Sequence, residues 1–425
     1  MHRRSPRLFG FRLRSGAALA LLLAGAAPAT GQLHIAKETA RTPAVKGRVA
    51  AHTVTALRDS VQRIMTRGVA DSAFPGGIAV IGSHLGPLVT VSAGQLDWSP
   101  SPVPTMTTIW DLASLTKVVG MTSAMMQLVE QGKVDLDAPV QRYLPEWTGR
   151  WKDRVSVRDL ITHRSGLPAF RQYFKLNASP DSTMRLMMTT PLDTMPGVRM
   201  VYSDIGAITL GRIVERVSGE SLDGYLARHV FGPLGMTDTR YRPDSSLLPR
   251  IAPTEVDPWR GRHLRGEVHD ENAAALGGVS AHAGLFSTAH DLDRLARAYL
   301  NGGVLDGARL AKATTIRQFT TVQDSTFSSR ALGWDTPPGA GSGHFLRHPA
   351  FGHTGFTGTS LWIDPQHDLY VLVLTNRVNP TRAHSGIGAV RTAVSDAAMR
   401  LLYPRVVATL EARAVPASPS SAPRP

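Results

Sequence analysis

Cysteine is absent from the 425-residue sequence. Its absence excludes disulfide bonds, thiolate metal sites, a cysteine nucleophile and lipid attachment to an N-terminal cysteine. Lysine is scarce, since only seven of the 47 basic residues are lysines. The formal net charge is +14, but the positive charges are dispersed, with no Lys/Arg block and no basic stripe beside aromatic residues. We therefore do not expect nucleic acid as a partner.

Long apolar runs are also missing, apart from one segment near the N-terminus. Residues 1–14 contain five arginines and no acidic residue, residues 15–27 are apolar or small, and Ala27-Pro28-Ala29 offers a small-x-small cleavage site. This layout is typical of a secretory signal peptide over residues 1–29. The run is shorter than the ~20 residues that a membrane span needs, although an uncleaved anchor is an alternative. We expect a bacterial periplasmic or secreted protein with no stable membrane span after cleavage. Removing the five arginines from +14 leaves a charge of +9.

The remaining composition, 42% hydrophobic and 19% charged, is that of a globular protein. The length allows two to three domains or one large two-part domain. We predict a linker over residues 30–50 and one domain over residues 51–405. Residues 414–425 are rich in Pro, Ser and Ala, and we predict a disordered tail there.

Hydrophobic periodicity predicts strands near both ends of this domain and helices between them. The fold class expected is therefore α/β (α+β), with one sheet built from both ends and a helical insertion over about 135–265. The predicted strands are Gly77–Gly82, Leu88–Ala93, Thr359–Ile363 and Leu369–Thr375, the last two forming a hairpin. The predicted helices cover residues 53–67, 115–131, 156–163, 206–219, 221–231, 291–300 and 387–402.

One candidate nucleophile stands out, in Ser114-Leu115-Thr116-Lys117. None of the other six lysines has a serine three positions earlier. Positions i and i+3 share one face of a helix, so Lys117 can reach the Ser114 hydroxyl. The apolar residues that follow would bury Lys117, and burial lowers the pKa of a lysine and lets it act as a base. The alternative is that Ser114 caps the helix and Lys117 is solvated.

Two further motifs contain groups that can move protons or bind a substrate. Tyr202-Ser203-Asp204 offers a tyrosine that can shuttle protons near a lysine, whereas the alternative is a buried structural tyrosine with Asp204 as a helix N-cap. His353-Thr354-Gly355, followed by Phe356, precedes a predicted strand, and its glycine allows close approach of a substrate backbone. The Phe356 N–H could complete an oxyanion hole with the Ser114 N–H. The alternative is a glycine-rich turn with an exposed histidine.

The three motifs, in this order, resemble those of the serine β-lactamase and penicillin-binding protein superfamily. The branch most similar comprises class C β-lactamases, D-alanyl-D-alanine carboxypeptidases and related esterases. The resemblance runs from about residue 52 to 403. Other stretches that carry it are TIWDLASLTK (108–117), DLITHRSGLP (159–168), FGPLGMTDT (231–239), GGVSAHAGLFSTAHDL (277–292), LGWD (332–335) and GHTGFTGTSLWIDP (352–365).

The resemblance implies a β-lactamase/transpeptidase-like fold, a mainly antiparallel sheet flanked by helices with a separate helical subdomain. It implies that Ser114 is the acylated nucleophile, Lys117 its activating partner and Tyr202 a general base and acid. Which of Lys117 and Tyr202 takes the first proton stays open. The substrate would be a carboxylic ester, a D-amino-acid peptide or a β-lactam, that is, a small molecule or a peptidoglycan-derived compound.

Two residues depart from the family pattern. Asp204 stands where the family has asparagine, and His353 stands where the lactamases have a lysine that binds the substrate carboxylate. With an ordinary pKa of about 6.5, His353 would be mostly neutral at pH 7.5. The sequence therefore predicts a better esterase than β-lactamase, with a preference for carboxylate substrates that grows as the pH falls.

No cofactor and no metal are expected. His269, His282 and His290 with Asp270 could be imagined as ligands, but no HExxH-like spacing is present. Ser280 and His282 belong to a loop that could border the active site. A non-catalytic penicillin-binding-like sensor or scaffold is the alternative function, but Ser114, Lys117 and Tyr202 are all present, which favours an enzyme. The oligomeric state is not predicted.

Overall fold

The computed structural model describes residues 49–414. The predicted signal peptide (1–29), most of the predicted linker (30–50) and residues 415–425 of the predicted tail lie outside the described residues. Within residues 49–414, no helix combines the length and the apolar character needed to cross a bilayer.

The main sheet is built from both ends of the domain, as the sequence predicts. Its five strands are all antiparallel and lie in the order β10-β11-β12-β1-β2. In the register between β1 and β12, Gly77 lies opposite Thr375. The strands are β1 (Gly76–Ser83), β2 (Gly86–Gly94), β10 (Phe351–Thr354), β11 (Ser360–Asp364) and β12 (Leu369–Thr375). β1, β11 and β12 are buried throughout, which explains their continuous apolar runs.

A second, three-stranded antiparallel sheet leads into the region of Ser114. It pairs β3 with β7 and β7 with β4. The remaining strands form two short hairpins. The bounds are β3 (Ile109–Asp111), β4 (Arg240–Tyr241), β5 (Val256–Asp257), β6 (Arg262–His263), β7 (Leu285–Thr288), β8 (Val304–Leu305) and β9 (Ala308–Arg309).

Helices pack on both sides of the main sheet, and most of them match the predicted spans. The bounds are α1 (Ala51–Ala70), α2 (Thr122–Glu130), α3 (Val157–Ile161), α4 (Pro180–Met188), α5 (Asp204–Ser218), α6 (Leu222–Leu226), α7 (Glu271–Ala275), α8 (Ala289–Leu300), α9 (Ala313–Thr320), α10 (Ile387–Leu402) and α11 (Pro404–Ala414). One face of the sheet contributes Ala79, Ile81 and Val373 to a core with α1 and α10. The opposite face contributes Ile78, Val80 and Leu372 to a larger core with α2, α3, α5, α6, α8 and α9.

The segment 135–265 contains α3 to α6 together with the short strands β4, β5 and β6. The structure corrects one local expectation. The N-cap of α5 is Ser203, whose hydroxyl accepts a hydrogen bond from the Gly206 N–H, and Asp204 is the first residue of the helix. Asp204 therefore does not cap the helix, and its carboxylate forms an ion pair with Lys117.

Candidate active site

The predicted site residues come together around one cavity of about 370 Å³. Six of the eight predicted residues line it, and the other two, Lys117 and Asp204, lie beneath Ser114 and contact each other. The lining residues are Ser114, Tyr202, Arg330, Asp335, Ala340, His353, Thr354, Gly355, Phe356, Arg377, Ile387 and Arg391.

Ser114 is held in a turn between β3 and the following helix. Ala113 has a positive φ of 45°, and its N–H donates to the Asp111 carboxylate at 2.8 Å. The Thr359 hydroxyl donates to the Leu112 carbonyl at 2.9 Å, which ties this turn to the loop after β10. A Cβ at Gly355 would lie 2.3 Å from that same carbonyl, so the close approach of the two loops requires glycine there.

Lys117 is almost completely buried, with 1% of its side chain exposed. It begins a π-helical turn, Lys117–Met121, that continues into α2, and such turns are frequent at functional sites. Its Nζ lies 3.1 Å from Ser114 Oγ and donates to the His282 carbonyl at 3.0 Å. It also forms an ion pair with Asp204 Oδ1 at 2.7 Å. The predicted contact between Lys117 and Ser114 is therefore present in the structure.

The predicted protonation of Lys117 is wrong. Burial alone would lower the pKa of Lys117, but Asp204 and Tyr202 outweigh burial and raise the pKa of Lys117 above its ordinary value. In this structure Lys117 is an ammonium ion held by a carboxylate. The family's asparagine could not exert this effect, so the departure at Asp204 changes the charge balance at the nucleophile.

Tyr202 lies between two cations. Lys117 Nζ is 4.8 Å from the centre of the ring, and the Arg330 guanidinium carbon is 5.0 Å from it. The Tyr202 hydroxyl is buried and has no hydrogen-bond partner within the described residues. A buried hydroxyl without a partner is uncommon, and this one belongs to a residue that lines the cavity.

His163, which lies in the DLITHRSGLP stretch, supports Tyr202 from behind and was not singled out from the sequence. Its ring is 4.6 Å from the Tyr202 ring, and its Nδ1 accepts a hydrogen bond from the Ser203 N–H at 3.1 Å. Burial, with the charges of Arg330 and Lys117, lowers the pKa of His163 well below its ordinary value. His163 is thus a neutral acceptor.

His353 is buried and does not titrate as the sequence suggested. Burial, together with Arg330 and Lys117, lowers the pKa of His353 well below 6.5, so the expected gain of charge near neutral pH is wrong. Its Nδ1 lies 2.8 Å from the Thr354 carbonyl, which can only accept, so Nδ1 carries the proton. Its Nε2 then accepts from Arg330 Nη1, at 3.4 Å.

Arg330 is one of six lining residues that were not predicted as site residues, and Arg377 and Arg391 are two further cations among them. Arg330 lies in a loop with no motif, 23 residues before His353 in the chain, and only the tertiary fold places it against Tyr202 and His353. Its Nη2 lies 3.8 Å from Asp335, too far for a direct hydrogen bond. Arg330 supplies the permanent positive charge that His353 lacks.

Two backbone N–H groups are free to form the predicted oxyanion hole. Neither the Ser114 N–H nor the Phe356 N–H donates a hydrogen bond to any residue in the described range 49–414. Both residues line the cavity. Unpaired donors at a cavity wall are the groups that stabilise an oxyanion.

The loop before β7 lies behind Lys117. His282 and Asp270 are hydrogen-bonded at 2.8 Å, and their ligand atoms lie within 4.8 Å of one another and of the Asp204 carboxylate. Lys117 provides a cation to this group, since its ammonium pairs with Asp204. The two other histidines considered above do not join it: His269 pairs with Glu255 and His290 with Asp291.

Comparisons with known proteins agree with this geometry. The Beta-lactamase family model matches residues 61–394. A protein of Salmonella agona strain SL483, provisionally named a D-alanyl-D-alanine carboxypeptidase, is 34% identical over 325 residues, which cover 67% of this chain and 74% of that protein. A protein of Salmonella typhi with the same provisional name has the same identity and coverage.

Solved structures show the same fold at lower identity. A penicillin-binding protein homologue from Caulobacter crescentus has a TM-score of 0.67 at 22% identity, with 84% of this chain and 99% of that chain covered. A family VIII carboxylesterase has a TM-score of 0.65 at 21% identity, with 84% and 99% covered. The predicted fold class is confirmed, and the chain is a serine hydrolase that belongs to the Beta-lactamase family.

Proposed function

We propose that the protein hydrolyses acyl compounds that carry a carboxylate close to the scissile bond, through an acyl-enzyme on Ser114. D-Alanyl-D-alanine peptides are the substrate class that this site fits best. The observation that carries the proposal is Ser114 Oγ at 3.1 Å from Lys117 Nζ, in a cavity that also contains two unpaired N–H groups. The provisional name of the Salmonella relatives supports the same class.

In the proposed reaction, Tyr202 rather than Lys117 takes the proton of Ser114. Lys117 is an ammonium because Asp204 raises its pKa, and an ammonium cannot accept a proton. Two cations, Lys117 and Arg330, lie 4.8 Å and 5.0 Å from the centre of the Tyr202 ring, so positive charge faces the group that we propose as the proton acceptor. Ser114 Oγ bonds to the carbonyl carbon while its proton passes to Tyr202, and the Ser114 and Phe356 N–H groups stabilise the oxyanion.

Collapse of this intermediate breaks the scissile bond. The amine leaves with the proton held by Tyr202, and Ser114 remains esterified. Water then attacks the ester carbonyl while Tyr202 removes a proton from it. The bond between the acyl carbon and Ser114 Oγ breaks, Tyr202 returns the proton to Ser114 Oγ, and the acid is released. Lys117 and Asp204 stay paired throughout and keep a positive charge next to Tyr202.

Covalent labelling tests this proposal against the alternative of a non-catalytic sensor. The intact protein is incubated with a fluorescent penicillin and with a fluorophosphonate, and its mass is followed over time. A penicillin adduct on Ser114 together with turnover of a D-Ala-D-Ala peptide or an ester supports an enzyme. An adduct on Ser114 without turnover of any peptide or ester supports the sensor, and no adduct on Ser114 contradicts the proposed nucleophile. A panel of D-Ala-D-Ala peptides, p-nitrophenyl esters and nitrocefin then defines the substrate class.

Arg330 is proposed to bind the substrate carboxylate. Hydrogen bonds to a charged group contribute about 1.5–3 kcal/mol, so Arg330→Gln should lower kcat/KM for a D-Ala-D-Ala peptide by roughly 10- to 150-fold. A neutral p-nitrophenyl ester should also lose some rate, because Arg330 lies beside the Tyr202 ring, but it should lose less than the peptide because it has no carboxylate. The ratio of the two kcat/KM values is therefore the quantity to measure. Because an arginine keeps its charge, this ratio should stay constant between about pH 6 and pH 8.

The matched control is Arg67→Gln, which removes an exposed arginine on α1 that pairs with Asp71. It should leave the ratio unchanged. If Arg330→Gln also leaves the ratio unchanged, Arg330 does not bind the carboxylate. If the ratio of kcat/KM for the peptide to kcat/KM for the ester rises steadily in the wild type as the pH falls, a group that titrates in this range binds the carboxylate instead of Arg330.

We also propose that the protein is exported and acts in the periplasm or outside the cell. The arginine-rich start, the short apolar run and the Ala27-Pro28-Ala29 site support this proposal. Expression of the full chain in a bacterium should give an exported form whose intact mass is that of a chain beginning at Thr30. Retention of residues 1–29 in that form would support the uncleaved anchor instead, and a protein that stays in the cytoplasm would contradict export.

A further inference from the structure

A buried hydrogen-bonded chain lies outside the proposed reaction. Ser280 Oγ lies 2.7 Å from His282 Nδ1, and His282 Nε2 lies 2.8 Å from Asp270 Oδ1. Ser280 and His282 are 3% and 1% exposed, and neither lines the cavity. A serine, a histidine and an aspartate in this order could form a nucleophilic triad, but a substrate cannot reach Ser280.

This chain is fixed at both ends. The Asp270 carboxylate also accepts a hydrogen bond from the Ala273 N–H at 2.8 Å. At the other end, the Ser280 carbonyl accepts a hydrogen bond from the Tyr241 hydroxyl at 2.8 Å. Both ring nitrogens of His282 are therefore occupied by groups that are themselves held, and the conformation of His282 is set.

The backbone of His282 connects the chain to the site, since its carbonyl accepts a hydrogen bond from Lys117 Nζ at 3.0 Å. The charge of Asp270 provides a second connection to Lys117. The Asp270 carboxylate lies within 4.8 Å of the Asp204 carboxylate oxygen, which in turn pairs with Lys117. Burial raises the pKa of Asp270, but His282 and other neighbours, Lys117 among them, hold it below its ordinary value. Asp270 is thus a second carboxylate close to the ammonium.

We propose that Asp270 and His282 are positioning residues that hold the Lys117 ammonium under Ser114, through the His282 carbonyl and the charge of Asp270. This inference rests on the proposed function, in which Lys117 is a fixed cation beside the nucleophile. Neither residue touches the substrate, so their contribution is to orientation and charge. Small errors of orientation reduce rates strongly, on the order of 100-fold for a displacement of about 1 Å.

The test combines kinetics with a direct spectrum of Lys117. Asp270→Asn keeps the size of the side chain and removes its charge, and His282→Gln removes the ring. Each variant should lower kcat for a p-nitrophenyl ester by roughly 10- to 100-fold, with KM changed less than about twofold because the substrate is not contacted. Selective ¹³Cε/¹⁵Nζ labelling of lysine gives few signals, since the chain contains seven lysines. Lys117→Ala assigns the Lys117 signal, which both variants should shift.

The control is Asp71→Asn, which removes an exposed carboxylate on the surface and should change neither quantity. Loss of activity without a shift of the Lys117 signal would mean that Asp270 and His282 serve the fold alone, and this result would overturn the inference. An unchanged kcat in both variants would overturn it as well. If Asp270→Asn does not fold, as judged by thermal unfolding, Ser280→Ala removes one hydrogen bond of the same chain and takes its place in both measurements. Ser114→Ala separates the two proposals: an active Ser114→Ala enzyme contradicts the proposed function, whereas an inactive one with unaffected Asp270 variants contradicts this inference only.

Discussion

Ser114→Ala is expected to reduce turnover of every substrate by at least about 10³-fold, as removal of a catalytic nucleophile does, and to abolish covalent labelling. The only hydrogen bond of the Ser114 hydroxyl within the described residues is to Lys117, so its loss should disturb the fold little. Ester hydrolysis, intact mass after fluorophosphonate treatment and thermal unfolding are the measurements. The melting temperature should stay within a few degrees of the wild type.

Ser246→Ala provides the matched control because Ser246 is an exposed serine in a short 3₁₀ helix, Ser245–Arg250. It should retain wild-type turnover and labelling. Hydrolysis by Ser114→Ala at the wild-type rate would show that a different residue carries the acyl group. Labelling of another serine in the Ser114→Ala protein would identify that residue directly.

Tyr202→Phe is expected to separate activity from stability. Loss of a proton-transfer group typically costs 10²- to 10⁴-fold in rate, so kcat should fall by that range. The Tyr202 hydroxyl is buried and has no partner within residues 49–414, and an unpaired buried hydroxyl does not stabilise a fold. Because Tyr202 also helps to raise the pKa of Lys117, the free energy of unfolding should change by no more than about 1 kcal/mol in either direction.

Tyr143→Phe should show the opposite behaviour. The Tyr143 hydroxyl accepts a hydrogen bond from the Asp135 N–H at 2.7 Å, and loss of that bond should cost about 1 kcal/mol of stability with kcat unchanged. Urea unfolding and ester kinetics measure both quantities for each variant. If Tyr202→Phe keeps kcat within tenfold of the wild type, the proton of Ser114 goes elsewhere and the proposed role of Tyr202 fails.

The elements that could be predicted are those whose signal is local. Continuous apolar runs in β12 and helical spacing in α10 gave bounds identical to the observed Leu369–Thr375 and Ile387–Leu402. The contact of Ser114 with Lys117 follows from spacing on one helix turn. Short elements such as β4 and β5, two residues each, have no periodicity to detect, and their pairing depends on the rest of the fold.

The electrostatics of the site could not be predicted from spacing. The pKa of Lys117 depends on a carboxylate 87 positions later in the sequence, Asp204, and burial alone gave the wrong sign. The lowered pKa of His353 could not be predicted from spacing either, because it results from burial and from the charge of Arg330. Arg330 has no motif around it, so its place beside Tyr202 became visible only in the structure.

Two hydrogen bonds join the turn that contains Ser114 to the loop after β10, and they affect when, during synthesis, the enzyme becomes active. The Thr357 hydroxyl donates to the Asp111 carbonyl at 2.7 Å, and Thr359 bonds to Leu112, across 246 and 247 residues of chain. A ribosome adds Ser114 and Lys117 long before it adds Phe356, which lines the same cavity as Ser114. Contacts between such distant residues also form slowly. The site of this serine hydrolase is therefore complete only after residues 356–359 have been added and folded against Ser114, and a shorter nascent chain lacks a complete site.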